Sequence, residues 1–137
     1  MRRISSAMLV GFGLALVAIT AVSAQNPGGR PDGKKKTKNA VAASADSIAA
    51  GQALYTKNCR FCHGADAKGN GPMAPKDTHP SDLTDAKWER GSTDGELFLV
   101  LRDGAGLDFK MKGYKGRMSE TDMWNVINYL RSIGPQK

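Results

Sequence analysis

Residues 57–72 read KNCRFCHGADAKGNGP. Cys59 and Cys62 stand three positions apart, His63 follows directly, and the 137-residue chain holds no other cysteine. A structural disulfide between the two thiols would close a very short loop, remove little unfolded-state entropy and leave His63 unused. Structural zinc usually takes four protein ligands, and beyond these three residues only His79 offers a further strong nitrogen or sulfur donor. A thioredoxin-like redox pair wants a βαβ setting, and no strand pattern flanks the motif.

Cys-x-x-Cys-His is also the attachment signature of c-type haem, and that chemistry uses every residue. At helical spacing, positions i, i+3 and i+4 share one face. Cys59, Cys62 and His63 can therefore meet one porphyrin edge and its iron. The thiols add to the vinyl groups as thioethers, and His63 supplies the proximal nitrogen.

The surroundings agree with an exported, haem-bearing domain. Arg2 and Arg3 precede the apolar run AMLVGFGLALVAITAV, and small residues end it at Ala24. Residues 1–24 read as a secretory signal peptide. The alternative is an uncleaved membrane anchor across residues 7–24, barely long enough beside the ~20 apolar residues that a spanning helix wants. Residues 25–43, QNPGGRPDGKKKTKNAVAA, have no apolar period and read as a disordered linker rich in Lys, Gly and Pro. The formal charge of +7 sits mostly in these leading segments, because residues 40–137 carry 13 basic and 12 acidic side chains. The domain thus lacks the clustered basic surface that nucleic-acid binding requires.

Residues 44–137 should form the folded domain, a small core for a chain of this length. In SIAAGQALYTKNC, Ile48, Gly51 and Tyr55 fall near one helical face. In STDGELFLVLRDG, Thr93 and Glu96 make a capping box, Leu97, Val100 and Leu101 a stripe, and Gly104 a stop. In SETDMWNVINYLRSIG, Ser119 and Asp122 cap a helix whose apolar face is Met123, Val126, Ile127 and Leu130. Between them, residues 64–88 form a Gly- and Pro-rich loop, unusually long for a compact domain. Such a loop suits a chain wrapped around something other than itself, and a haem plate would supply the missing apolar surface. No segment reads as a convincing strand.

Function turns on the iron's sixth ligand, since methionine there raises the potential and closes the site for electron transfer. Met1 and Met8 belong to the signal peptide, and Met73 lies in the loop expected on the proximal side. Met118 and Met123 occupy N′ and N4 of the last helix, the positions of a hydrophobic staple. Met111 remains, in the polar, Gly-rich loop GAGLDFKMKGYKGRMSE. His79 is its main rival, with Met118 behind it. Trp124 reads as a buried anchor, while Trp88 is open between that role and donation to a haem propionate.

The motifs CRFCHG, GNGP, HPSDLTDAKW, DGELFLVLRDG and MKGYKGRMSETDMWNVINYLRS together resemble class I cytochrome c of the small bacterial single-haem kind, across nearly all of residues 44–137. The resemblance implies an all-α cytochrome c fold of three to five helices around one covalent haem c. It places Met111 at the ligand position, although Lys112 stands where the family often has proline. It implies that the Pro72 carbonyl accepts a hydrogen bond from His63 Nδ1, and that Gly51 lets the first helix approach Val126 or Tyr129 of the last. The expected work is one-electron transfer between redox proteins, with no substrate transformed. Lys110, Lys112, Lys115 and Arg117 would then face an acidic docking patch. Two other readings stand beside it: a haem-based ligand sensor with an open or labile sixth position, and an electron-transfer subunit of a larger redox complex.

Overall fold

A computed structural model of the chain describes residues 37–77, 79–106 and 110–135. The signal-peptide reading of residues 1–24 and most of the linker reading of 25–43 lie outside the described residues. In chain order, α1 spans Ala45–Asn58, α2 Arg60–His63, α3 Asp94–Asp103, β1 Gly104–Ala105, β2 Met111–Lys112 and α4 Glu120–Ile133. The architecture is the expected all-α one. One element escaped the sequence: β1 and β2 form a short antiparallel ladder pairing Gly104 with Lys112 and Ala105 with Met111. A ladder of two residues per strand is too short to show a period-2 pattern.

The frame of the domain is the crossing of α1 and α4. Ser44 caps α1 by accepting from the Ser47 backbone N–H at 3.1 Å. The helix then buries Ser47, Gly51 and Tyr55, one residue per turn. Gly51 permits the crossing: a Cβ there would lie 2.0 Å from the Asn125 carbonyl oxygen and 2.9 Å from Tyr129 Cβ. The close approach expected against Val126 or Tyr129 thus falls on Tyr129 and the Asn125 backbone. Ser47 Oγ adds a hydrogen bond to Asn125 Oδ1 at 2.8 Å, and the Tyr55 and Tyr129 rings pack 5.3 Å apart. On α4, Met123, Val126 and Ile127 are almost fully enclosed.

Helix α3 packs across this pair. Its N-terminus carries the complete capping box, with Thr93 and Glu96 each satisfying the other's backbone. Phe98 stacks on Trp124 at 4.2 Å between centroids, so Trp124 serves as the expected buried anchor. Of the expected stripe, Leu97 and Leu101 are buried, while Val100 is half-buried. Phe98 and Leu99 are buried as well, because α3 is covered on more than one side.

The domain boundary expected at residue 44 falls inside the packed chain. Asn128, buried within α4, donates to the carbonyls of Val41 and Ala42 and to Ser47 Oγ, and accepts from Asn39 Nδ2. One buried amide on α4 therefore straps residues 39–42 to the core. Composition could not reveal this, since the bonds to Val41 and Ala42 use main-chain carbonyls of otherwise bland residues.

Candidate haem site

The cysteine motif sits where α1 hands over to α2. Cys59 ends α1, with its N–H bonded to the Tyr55 carbonyl, and at once begins the next turn. The N–H groups of Cys62 and His63 both bond to the Cys59 carbonyl, at 3.1 and 3.0 Å. Gly64 closes the turn on the Arg60 carbonyl at 2.9 Å. Tyr55 Oη donates to the Gly64 carbonyl at 2.7 Å from a buried position, tying the far end of the turn back to α1. Cys59 and His63 are buried, and Cys62 is half-buried.

No disulfide joins Cys59 and Cys62. Burial first, and the neighbouring Cys62 second, push the Cys59 thiol up to about 12. A dry, protonated thiol of this kind is a poor redox nucleophile, whose work needs a thiolate. It disfavours the thioredoxin-like alternative. Among the described residues, no three His, Cys, Asp or Glu side chains gather into a set able to hold a metal ion by themselves.

The loop after α2 folds back along the turn's free carbonyls, which have no partner within so short a helix. Gly69 N–H bonds to His63 O at 2.8 Å, Gly71 N–H to Cys62 O at 3.0 Å and Met73 N–H to Phe61 O at 2.7 Å. Gly69, at φ 78°, lies so close to Pro80 that a Cβ would fall 2.0 Å from the Pro80 carbonyl oxygen. Leu83 N–H bonds to Ala67 O at 2.8 Å. The inner loop thus supports residues 80–83 from beneath and brings the Ser81 carbonyl to 3.2 Å from His63 Nδ1.

This corrects the assignment of Pro72 as the His63 partner. Pro72 is exposed, in the stretch pinned to the back of α2, and the carbonyl at the ring nitrogen is that of Ser81. A backbone acceptor has no side-chain signature, so only the path of the loop could identify it. A carbonyl can only accept, so Nδ1 carries the proton and Nε2 keeps its lone pair. Burial lowers the His63 pKa, and the bond to Ser81 partly opposes that shift. The ring is held neutral, the form that binds iron.

Met111 comes from the other side of the molecule, on β2. It is half-buried and packs against the main apolar cluster. A crevice runs between it and the cysteine turn. The inner part is lined by Cys59, His63, Val100 and Met111, with Trp88 and Arg90 along one wall. The outer part, sharing His63 and Met111, is lined by Cys62, Tyr114 and the exposed His79. Met73 is 68% exposed and Met118 packs against the apolar cluster. Tyr114, Ser81 and Arg90 are crevice residues that sequence reasoning did not single out as such.

The donor set fits haem c: two thiols on one turn, a neutral imidazole and a thioether face one largely apolar crevice. The buried Trp88 Nε1–H points to the same group. It finds no hydrogen-bond acceptor, which is costly unless an acceptor arrives with a ligand. A propionate oxygen is such an acceptor.

The comparisons with known proteins agree. Residues 46–130 match the profile of the family described as cytochrome C oxidase, cbb3-type, subunit III. The cbb3-type cytochrome c oxidase subunit FixP of Bradyrhizobium sp. (strain ORS 278) is 36% identical over 90 residues, 65% of this chain and 28% of that protein. Subunit CcoP of Rhodobacter capsulatus is 33% identical over 90 residues, 62% of this chain and 29% of that protein. The chain spans less than a third of the length of these curated relatives. Among solved structures, cytochrome cL of Methylophaga aminisulfidivorans MPT aligns with a TM-score of 0.59 at 20% identity, over 82% of this chain and 72% of that one. Cytochrome cL of Hyphomicrobium denitrificans aligns with a TM-score of 0.53 at 24% identity, over 64% and 48%. These two share the fold. With the family match running from α1 into α4 across the cysteine motif, the chain belongs to the cbb3-type oxidase subunit III family and is a c-type cytochrome whose cofactor is covalently bound haem c.

Proposed function

We propose that the chain is an exported, single-haem electron carrier with Cys59 and Cys62 as thioether anchors, His63 as proximal ligand and Met111 as distal ligand. The observation that carries this reading is the convergence of His63 and Met111 on one crevice, from elements far apart in sequence. When bound, haem c supplies a one-electron Fe(III)/Fe(II) couple.

The chain's own residues prepare the site for that couple. Ser81 orients the imidazole and strengthens it as a donor. A thioether at Met111 favours a higher potential and closes the sixth position. Leu97, Val100, Leu101, Val126 and Leu130 line the crevice with hydrocarbon and keep water from it. The unsatisfied Trp88 Nε1–H supports a hydrogen bond to a propionate. On this reading the chain carries electrons between partner proteins.

Residues 1–24 would direct export, with membrane attachment only where they are retained, and most of 25–43 would serve as a spacer. The partners are redox proteins. Lys112, Lys115 and Arg117 are exposed around the Met111 loop, and Lys110 there pairs with Asp77. They favour a partner with an acidic docking patch. One second reading has support: the relatives are oxidase subunits by name and far longer than this chain, which favours an electron-transfer subunit of a larger redox complex. Co-purification with partner proteins would separate it from a free carrier.

The test is an absorption spectrum of the haem-loaded chain, oxidised and reduced, with and without carbon monoxide. A low-spin spectrum with the weak far-red methionine–Fe(III) band, indifferent to carbon monoxide and losing that band in Met111→Ala, is expected. A high-spin spectrum that shifts with carbon monoxide would overturn the carrier reading in favour of a ligand sensor.

A further inference from the structure

We propose that Tyr114 is a positioning residue that holds the Met111 loop at its working distance from the haem attachment turn. The inference rests on Met111 as the distal ligand. On its own side of the crevice, the loop is fastened to α3 and its continuation. Ala105 pairs with Met111, Tyr114 N–H bonds to Leu101 O at 2.8 Å and Lys115 N–H to Arg102 O at 3.0 Å. These bonds fix the loop relative to α3. They do not set its separation from Cys59, Cys62 and His63.

The Tyr114 side chain spans that gap. Its hydroxyl donates to the Asn58 carbonyl at 2.9 Å, the last residue of α1 and the neighbour of Cys59. A carbonyl at a helix C-terminus lacks an intrahelical donor, so the bond satisfies an acceptor as well as making a link. The ring is a stiff strut, lining the outer crevice with Met111 and His63. It is braced by the Arg117 guanidinium, 4.8 Å over its centroid, which also donates to the Gly113 carbonyl. The two residues after Met111 are Lys112 and Gly113, and neither restricts the backbone as proline does. The other described tie between this loop and the far wall, Lys110 with Asp77, lies on the exposed surface, where ion pairs contribute little.

The test uses the oxidised, haem-loaded full chain, titrated with imidazole as a competing iron ligand while the far-red band is followed. Tyr114→Phe keeps the ring and removes the hydroxyl. Loss of one neutral hydrogen bond should let imidazole displace the methionine about five-fold more readily than in the wild type. Asn128→Ala serves as the control, because it loosens the domain at the α4 strap, away from the loop, and should keep the wild-type imidazole affinity. An unchanged affinity in Tyr114→Phe would overturn the proposal, and so would an equal rise in Asn128→Ala, which would reduce the effect to lost stability. Survival of the band in Met111→Ala would overturn the ligand assignment first, and the role of Tyr114 with it.

Discussion

Replacing Gly51 with alanine tests the crossing on which the whole site is built. The new Cβ would meet the Asn125 carbonyl oxygen at 2.0 Å and its carbon at 2.6 Å, and ordinary contact begins near 3.4 Å. Both obstacles are helix backbone, which cannot rotate away as a side chain tip would. The α1 and α4 backbones must therefore part by about 1.4 Å at this point. Overpacking a tight site costs ~1–3 kcal/mol, and a backbone obstacle belongs at the upper end. Alanine returns about 1 kcal/mol through its better helix propensity. The net loss is about 2 kcal/mol, which for a domain of this size lowers Tm by about 8–16 °C. Thermal unfolding of the haem-loaded chain, followed by far-UV circular dichroism and by the Soret band, measures it. Because α1 ends at Asn58 and Cys59, the far-red band should also weaken in the variant. A Tm within about 2 °C of the wild type would refute the reasoning, since two helices in such contact cannot absorb a methyl group unchanged.

Trp88→Phe removes a buried donor but keeps a half-buried aromatic ring. If a propionate accepts from Nε1, the haem-loaded variant should lose about 1–2 kcal/mol in urea unfolding, and an unchanged midpoint would count against that bond. Asn128→Ala cuts the strap on residues 39–42 and should cost about 2–3 kcal/mol. Trypsin cleavage after Lys38 should accelerate in that variant, and equal cleavage in both proteins would show that the strap does not protect this segment. Electron transfer to a cognate acidic partner should slow as ionic strength rises toward 0.15 M, where the Debye length is about 8 Å, and a salt-independent rate would remove the basic loop from docking.

Several features of the site were legible before any fold was known. The cysteine motif is covalent chemistry at a fixed local spacing, and a single helical turn presents it whatever the rest of the chain does. The α3 start was equally plain, because Thr93 and Glu96 bond to each other's backbone across three residues. Met111 was reached by removing methionines with other work to do, and the structure brings it to the crevice with His63. The misplaced partner of His63 shows the opposite case. Pro72 stood in a recognisable motif, but the loop doubles back on α2 before reaching the ring, and Ser81 arrives in its place.

The sequence by itself determined the cofactor chemistry, the helices and their caps, because these depend on residues within about one turn of each other. Tertiary structure alone decided which carbonyl, 18 residues along the chain, orients His63. It also decided that Gly51 meets the Asn125 backbone, and that a tyrosine hydroxyl from the methionine loop closes on the end of α1. Those contacts use main-chain atoms, which every residue possesses alike, so their identity comes from how the chain closes on itself and not from side-chain type.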